Sequence, residues 1–242
     1  MKDARKKLII WLISIAIVVG GCAIYVGDYY RADEDTIARF TAYHSVEAEE
    51  ISKGVLVFEP DDPTAGFIFY PGGKVEYTAY VPLMSALAER GVLCILIKMP
   101  CNLAVLDINA ASGMREKYPE VDDWYIGGHS LGGTMAGYHL AGNTDGYEGL
   151  ILLASYTSAD ISGTDLRVLS IYGSEDGVMQ KKKYDKYKSK LPADLVEIVI
   201  EGGCHAYFGM YGKQKGDGEP SLSSAEQIHI AVAEIIDYIN KE

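Results

Sequence analysis

Short apolar runs ending in polar, glycine-containing turns recur along this chain and alternate with segments of helical period. Strand-like runs fall near 54–59, 66–70, 92–98, 124–128, 148–154, 167–172 and 196–200. In the last of these, Val196-Glu197-Ile198-Val199-Ile200, apolar and charged positions begin in the two-residue alternation of a half-exposed strand. Helical segments are predicted near 77–90, 106–118, 131–141, 179–190 and from about 224. Ser223-Ser224-Ala225-Glu226 opens the last of them as a capping box, and Ile228, Val232, Ile235 and Ile236 share one face of it. Alternating β and α units predict an α/β fold, a mostly parallel sheet with helices on both faces. About a dozen residues separate the strands at 148–154 and 167–172, too few for a helical cap, so the sheet edge there should be open.

One stretch does not fit the alternation. Leu8 to Gly27 is uncharged and apolar, long enough to cross about 30 Å of hydrocarbon as a helix. Lys2, Arg5, Lys6 and Lys7 precede it, and Asp28, Asp33, Glu34 and Asp35 follow, which predicts a single-pass anchor with its N-terminus in the cytoplasm and the rest outside. Trp11 at one end and Tyr25, Tyr29 and Tyr30 at the other suit the two interfaces. Cleavage is the rival reading, because Val19-Gly20-Gly21-Cys22 loosely resembles a lipidation signal, but the apolar run continues past Cys22 with no A-x-A site. The chain therefore divides into an anchor (1–27), a polar lead-in (28–53) and an α/β domain (54–242). The anchor segment carries +3, so of the net −12 the remainder carries −15. That charge argues against nucleic acid and polyanionic substrates. No H-x-x-x-H or C-x-x-C spacing occurs, and neither a metal nor a cofactor is expected.

The candidate chemistry sits where strands end. Trp124-Tyr125-Ile126-Gly127 runs into Gly128-His129-Ser130-Leu131-Gly132, a strand followed by G-x-S-x-G and then a proline-free helical segment. Such a junction holds a serine proud of the sheet on a tight turn above a helix N-terminus, where a developing oxyanion is favoured. The strand at 167–172 opens into Gly173-Ser174-Glu175-Asp176-Gly177, which offers Asp176 as an acid with Glu175 as its alternative. The strand at 196–200 opens into Gly202-Gly203-Cys204-His205, which offers His205 as a base. The order Ser, acid, His is that of one family of catalytic triads. An oxyanion hole would use the N–H of Leu131 and that of Gly73 or Lys74, from the loop Pro71-Gly72-Gly73-Lys74-Val75. The Walker phosphate-loop spacing is absent from that loop. His129, next to the serine, should point away from the site. His44, His139 and His229 follow no strand end and read as surface or helix-packing residues.

From Tyr70-Pro71-Gly72-Gly73-Lys74-Val75 through Lys98-Met99-Pro100, the serine motif and Gly173–Gly177 to His205-Ala206-Tyr207-Phe208-Gly209, the chain resembles the small α/β-hydrolases related to dienelactone hydrolase. In particular it is similar to bacterial members that carry an N-terminal membrane anchor. The resemblance implies a serine hydrolase acting on a small ester through an acyl-enzyme on Ser130, with His205 shuttling the proton and Asp176 orienting it. Met99, Asn102, Leu103, Tyr207 and Phe208 adjoin strand-end loops and are the expected pocket residues. Acyl transfer or thioester cleavage would use the same constellation, and a catalytically silent, surface-anchored binding protein could share the fold. The chain departs from the family at Cys101 and Cys204, where Phe and Asn are expected. The pair is a candidate disulfide outside the cytoplasm, opposed by parent strands that should lie about five positions apart at roughly 4.8 Å each. Cys94 should be a buried apolar strand residue.

Overall fold

The computed structural model describes residues 2–42 and 44–241, without the side chains of residues 2–5 and 8, so the Lys2 and Arg5 side chains of the basic flank lie outside the described residues. Eight strands form one sheet: β1 (Ala48–Ser52), β2 (Val55–Phe58), β3 (Ala65–Tyr70), β4 (Val92–Ile97), β5 (Trp124–His129), β6 (Gly149–Leu153), β7 (Arg167–Gly173) and β8 (Leu195–Ile200). Their order across the sheet is β1-β2-β4-β3-β5-β6-β7-β8. The pairings from β4 through β8 are parallel, and β1 and β2 add antiparallel at one edge. Every residue of β3, β4, β5 and β6 is buried, as expected for central parallel strands covered on both faces. β8, at the edge, mixes buried and exposed positions.

Period-two alternation sorts each strand between two cores. Phe67 and Phe69 face one side with α3 (Val81–Ala88) and α6 (Ser224–Ile239), while Ile68 and Tyr70 face the other with α4 (Leu131–Leu140). The capping box at Ser223 and Glu226 forms, and Ile228, Val232 and Ile235 are buried beneath it. The remaining helices are α1 (Lys2–Gly27), α2 (Glu34–Thr41) and α5 (Lys181–Tyr187). Ile9–Gly27 of α1 is long and apolar enough to cross a membrane, and none of its apolar window is buried. Among the described residues no helix intervenes between β6 and β7, so the sheet edge there lacks a cap.

Two segments differ from the sequence expectation. The lead-in is structured: α2 is capped by Asp33, and β1 joins the sheet, which therefore begins at Ala48 rather than near 54. The helix expected at 106–118 does not form; residues 104–118 make successive tight turns, with Gly113 at φ 74°. The cause lies on β3. The Tyr70 hydroxyl donates to the Ile108 carbonyl (2.9 Å) and accepts from the Ala111 N–H (2.8 Å), occupying groups that a helix would pair with its own turns. Tyr70→Phe should leave both backbone groups unsatisfied in a buried place and cost about 1–3 kcal/mol. Urea unfolding should show that loss, and hydrogen exchange should quicken first at residues 108–111.

Candidate active site

Strand register brings the loops of the sheet's carboxyl edge together. Tyr70 lies opposite Gly128, and His129 opposite Leu153, so Pro71, Ser130 and Ala154 leave three adjacent strands at one level. Ser130 has φ 51° and ψ −120°, a conformation that costs a non-glycine residue on the order of 1–3 kcal/mol. Its N–H donates to the Leu153 carbonyl (2.9 Å), and its carbonyl accepts from the Ser155 hydroxyl (2.6 Å), which fixes the turn. The turn also needs its flanking glycines: a Cβ at Gly128 or Gly132 would lie 2.3 or 2.0 Å from the Tyr70 carbonyl oxygen.

The candidate acid and base adjoin in the same way. Gly173 pairs with Ile200, so the loops after β7 and β8 start side by side. His205 Nδ1 donates to Asp176 Oδ2 (2.9 Å), with both side chains almost fully buried. Asp176 Oδ1 accepts from the N–H groups of Val178 (2.9 Å) and Met179 (2.8 Å), which anchors the carboxylate in its own loop. Glu175, the alternative acid, is exposed and accepts only from the Ser174 hydroxyl among side chains. The other ring nitrogen, His205 Nε2, is buried with no hydrogen-bond partner among the described residues, so the Ser130 hydroxyl does not bond it in this arrangement. Both residues line one cavity of about 260 Å³, walled by Leu131, Ser155, Tyr156, Val178, Met179 and Gln180.

His129 is buried and does not line the cavity, and it joins two parts of the site. His129 Nε2 lies 3.0 Å from the His205 carbonyl, which only accepts, so Nε2 carries the proton. Nδ1 then accepts from the Tyr80 hydroxyl (2.8 Å), whose oxygen accepts from the Gly72 N–H (3.1 Å). This chain ties the glycine loop after β3 to the backbone of His205. Burial first, then the nearby His205, hold the His129 pKa well below that of an ordinary imidazole, so the ring is neutral.

A model of the alpha/beta hydrolase family matches residues 66–229, which includes Ser130, Asp176 and His205. The chain belongs to the alpha/beta hydrolase family. No curated protein matches it in sequence. Solved structures with a similar fold include TT1662 from Thermus thermophilus, with 14% identity, a TM-score of 0.59, and 81% of this chain and 99% of that one covered. Est1E from Butyrivibrio proteoclasticus, solved with ferulic acid bound, has 15% identity, a TM-score of 0.55, and 76% and 94% covered. A predicted CIB-like hydrolase from Thermoplasma acidophilum has 18% identity and a TM-score of 0.57, with 80% and 99% covered.

In this alpha/beta hydrolase several expected site residues fall elsewhere. The Lys74 N–H donates to the Asn102 carbonyl (2.7 Å), so of the two loop candidates Gly73 is left beside Leu131; a Cβ on Gly73 would come within 2.8 Å of the Leu131 side chain. None of Met99, Asn102, Leu103, Tyr207 and Phe208 lines the cavity. Met99 and Phe208 are buried in the two cores, Tyr207 packs against one of them, and Asn102 and Leu103 belong to the turns after β4. The cavity instead opens over β5, β6 and β7, the strands that carry the serine and the acid. The Cys101–Cys204 bridge is not formed: both are free, Cys101 exposed and Cys204 buried, on loops whose strands are five positions apart in the sheet. Burial, then neighbouring Asp217, push the Cys204 thiol up to about 12. Cys94 is buried in β4, as expected. His139 is buried against Asn109, and His44 and His229 both stack on Phe40, which are packing roles.

Asp217 is the residue that the sequence reading missed. Its Oδ1 accepts from the N–H groups of His205 (3.0 Å), Gly177 (3.2 Å) and Gly218 (3.0 Å), and its Oδ2 from Ala206 (2.8 Å). One carboxylate thus staples the acid loop to the base loop. Burial raises its pKa, but the N–H donors of Ala206, His205 and Gly177 outweigh that and hold it below the ordinary 3.8. A depressed folded value means that Asp217 contributes stability in full above the unfolded value and loses it as pH falls through the folded one. Asp217→Asn, with a single acceptor oxygen, should cost about 1–3 kcal/mol at pH 7. Urea midpoints compared between pH 7 and pH 3 should show this deficit shrinking toward acid; a deficit unchanged with pH would remove the carboxylate from the account.

Proposed function

We propose that this chain is a serine hydrolase that cleaves carboxylic esters through an acyl-enzyme on Ser130. The observation that carries the reading is the buried Asp176–His205 pair, whose unpartnered Nε2 lines the same cavity as a strained Ser130. A Ser130 hydroxyl turned toward that nitrogen completes the triad, and catalytic hydrogen bonds are commonly long before substrate arrives. Ser130 Oγ attacks the ester carbonyl while its proton passes to His205 Nε2. The imidazolium is stabilised by Asp176 and returns the proton to the departing alkoxide. Water then attacks the acyl-enzyme, deprotonated by the same nitrogen, and Ser130 leaves as a free hydroxyl. The oxyanion of each tetrahedral intermediate is held by the N–H groups of Leu131 and Gly73, at the N-terminus of α4.

The cavity suits a short acyl group against Leu131, Val178 and Met179, with the alcohol left outside it. We further propose that α1 anchors the chain in the membrane with the domain on the extracytoplasmic side. The basic flank before an apolar helix supports that orientation. Protease added to intact cells should then digest the domain, and digestion only after permeabilisation would reverse the orientation.

A fluorophosphonate should label Ser130, and Ser130→Ala and His205→Ala should each lower turnover of 4-nitrophenyl butyrate by about 10⁴-fold or more, the double variant being little worse than either. Asp176→Asn should also lose activity heavily, whereas Glu175→Gln should retain it. A Ser130→Ala enzyme that keeps full turnover would remove the nucleophile from this mechanism. A wild-type chain that neither labels nor hydrolyses any ester or thioester would be a binding protein on a hydrolase fold.

A further inference from the structure

The segment that follows α1 is built into the rim of the active site. The Tyr30 N–H donates to the Lys74 carbonyl (2.8 Å) and the Glu76 N–H to the Tyr30 carbonyl (2.9 Å), a parallel bridge between Tyr30 and Val75. The Ala32 N–H donates to Glu76 Oε2 (3.1 Å), the Asp33 N–H to the Met210 carbonyl (2.8 Å), and the Lys215 N–H to the Tyr30 hydroxyl (3.0 Å). Residues 30–33 are therefore held between the glycine loop after β3 and the loop that follows His205. Ahead of this strap, Lys74 Nζ bonds Asp28 (2.9 Å) and lies 4.6 Å from the ring centre of Tyr25, in the last turn of α1.

Only Asp28 and Tyr29 separate α1 from the strap, and the three steps from Gly27 to Tyr30 reach at most about 11 Å. Wherever α1 leaves the hydrocarbon, the glycine loop that flanks Leu131 of the cavity is held close to that point. Val105 and Leu106, in the turns after β4, are exposed by 50% and 57%. Outside α1 they are the only consecutive pair of exposed large apolar side chains among the described residues. Their segment begins at Asn102, whose carbonyl is tied to Lys74.

We propose that the domain rests on the bilayer with this rim in the headgroup layer, and that its substrates are short-chain acyl esters of amphiphiles resident in that bilayer. The acyl group enters the cavity while the alcohol moiety stays among the lipids. Val105 and Leu106 dip into the interface, where apolar side chains gain from burial in the acyl boundary. This inference rests on the ester-hydrolase reading above and adds the physical source of the substrate.

The test uses the full chain reconstituted into vesicles of phosphatidylethanolamine and phosphatidylglycerol, with two butyrate esters. One is water-soluble 4-nitrophenyl butyrate, and the other the butyrate of a fluorogenic phenol with a hexadecyl tail. The chain should float with the vesicles and cleave both. A Gly-Ser linker of about twelve residues inserted between Gly27 and Asp28 leaves the strap intact and gives the domain roughly 20 Å of reach. It should lower the ratio of tailed to soluble turnover about tenfold or more, because the effective concentration of bilayer substrate at the site falls. Val105→Glu with Leu106→Glu should lower the same ratio several-fold and leave soluble turnover unchanged. Failure to float, or a ratio unchanged in both variants, overturns the proposal while soluble hydrolysis leaves the esterase reading standing. A wild-type chain that cleaves neither ester sinks both.

Discussion

The Tyr70 carbonyl oxygen leaves no room for a Cβ at Gly128 or Gly132, and that contact organises the centre of the sheet's carboxyl edge. Because the backbone of β3 approaches so closely, the turn after β5 is forced tight, Ser130 takes a left-handed conformation, and α4 begins directly beneath it. Glycines at both flanks make the approach possible, and the bonds from Ser130 to Leu153 and Ser155 keep the strained residue from relaxing. The other side of Tyr70 is equally constrained: its hydroxyl diverts residues 104–118 from helix into turns. One residue of a central strand thus shapes both the serine turn and the segment packed beside it.

Around that centre the polar groups are arranged so that almost every one has a fixed protonation role. His129 is neutral because it is buried and accepts from Tyr80, and it gives its single proton to the backbone of His205. Asp217 is ionised because backbone N–H groups converge on it, and it accepts from His205 and Ala206 on one loop and Gly177 on the other. Asp176 accepts from two N–H groups and one imidazole. His205 Nε2 stands out in this set as a buried ring nitrogen with nothing assigned to it, and it lines the cavity. A buried polar atom left unpaired is costly, so its exception argues for a partner within the cavity it shares with Ser130.

The parts of this arrangement that sequence could reveal are those written in local pattern. A strand running into G-x-S-x-G, and two further strands ending in Asp176 and His205, announce themselves because strand periodicity and turn chemistry are local. The α6 capping box is legible for the same reason. The helix expected at 106–118 was misread because its fate is decided by a hydroxyl on β3, which no window of neighbouring residues contains. Asp217 sits in Gly216-Asp217-Gly218, which reads as a plain turn; its four N–H partners come largely from loops about 10 and 40 residues upstream. Position after β4 and β8 points to the wrong cavity walls; Val178 and Met179 follow Asp176 within three residues, and a loop anchored by its own carboxylate presents them to the site.

The outer margin of the sheet has a consequence for how copies of the chain meet. β1 carries Glu49 and Glu50 and breaks register between Glu50 and Ser52, so the exposed backbone groups on that margin are neither straight nor uncharged. A second chain offering the same strand would bring like carboxylates face to face and meet an irregular ladder. Such margins resist strand-to-strand coalescence. Molecules confined to a surface collide far more often than molecules in bulk solution, so with α1 in a membrane, as proposed, an acidic, irregular border would keep edge strands from pairing at high local density.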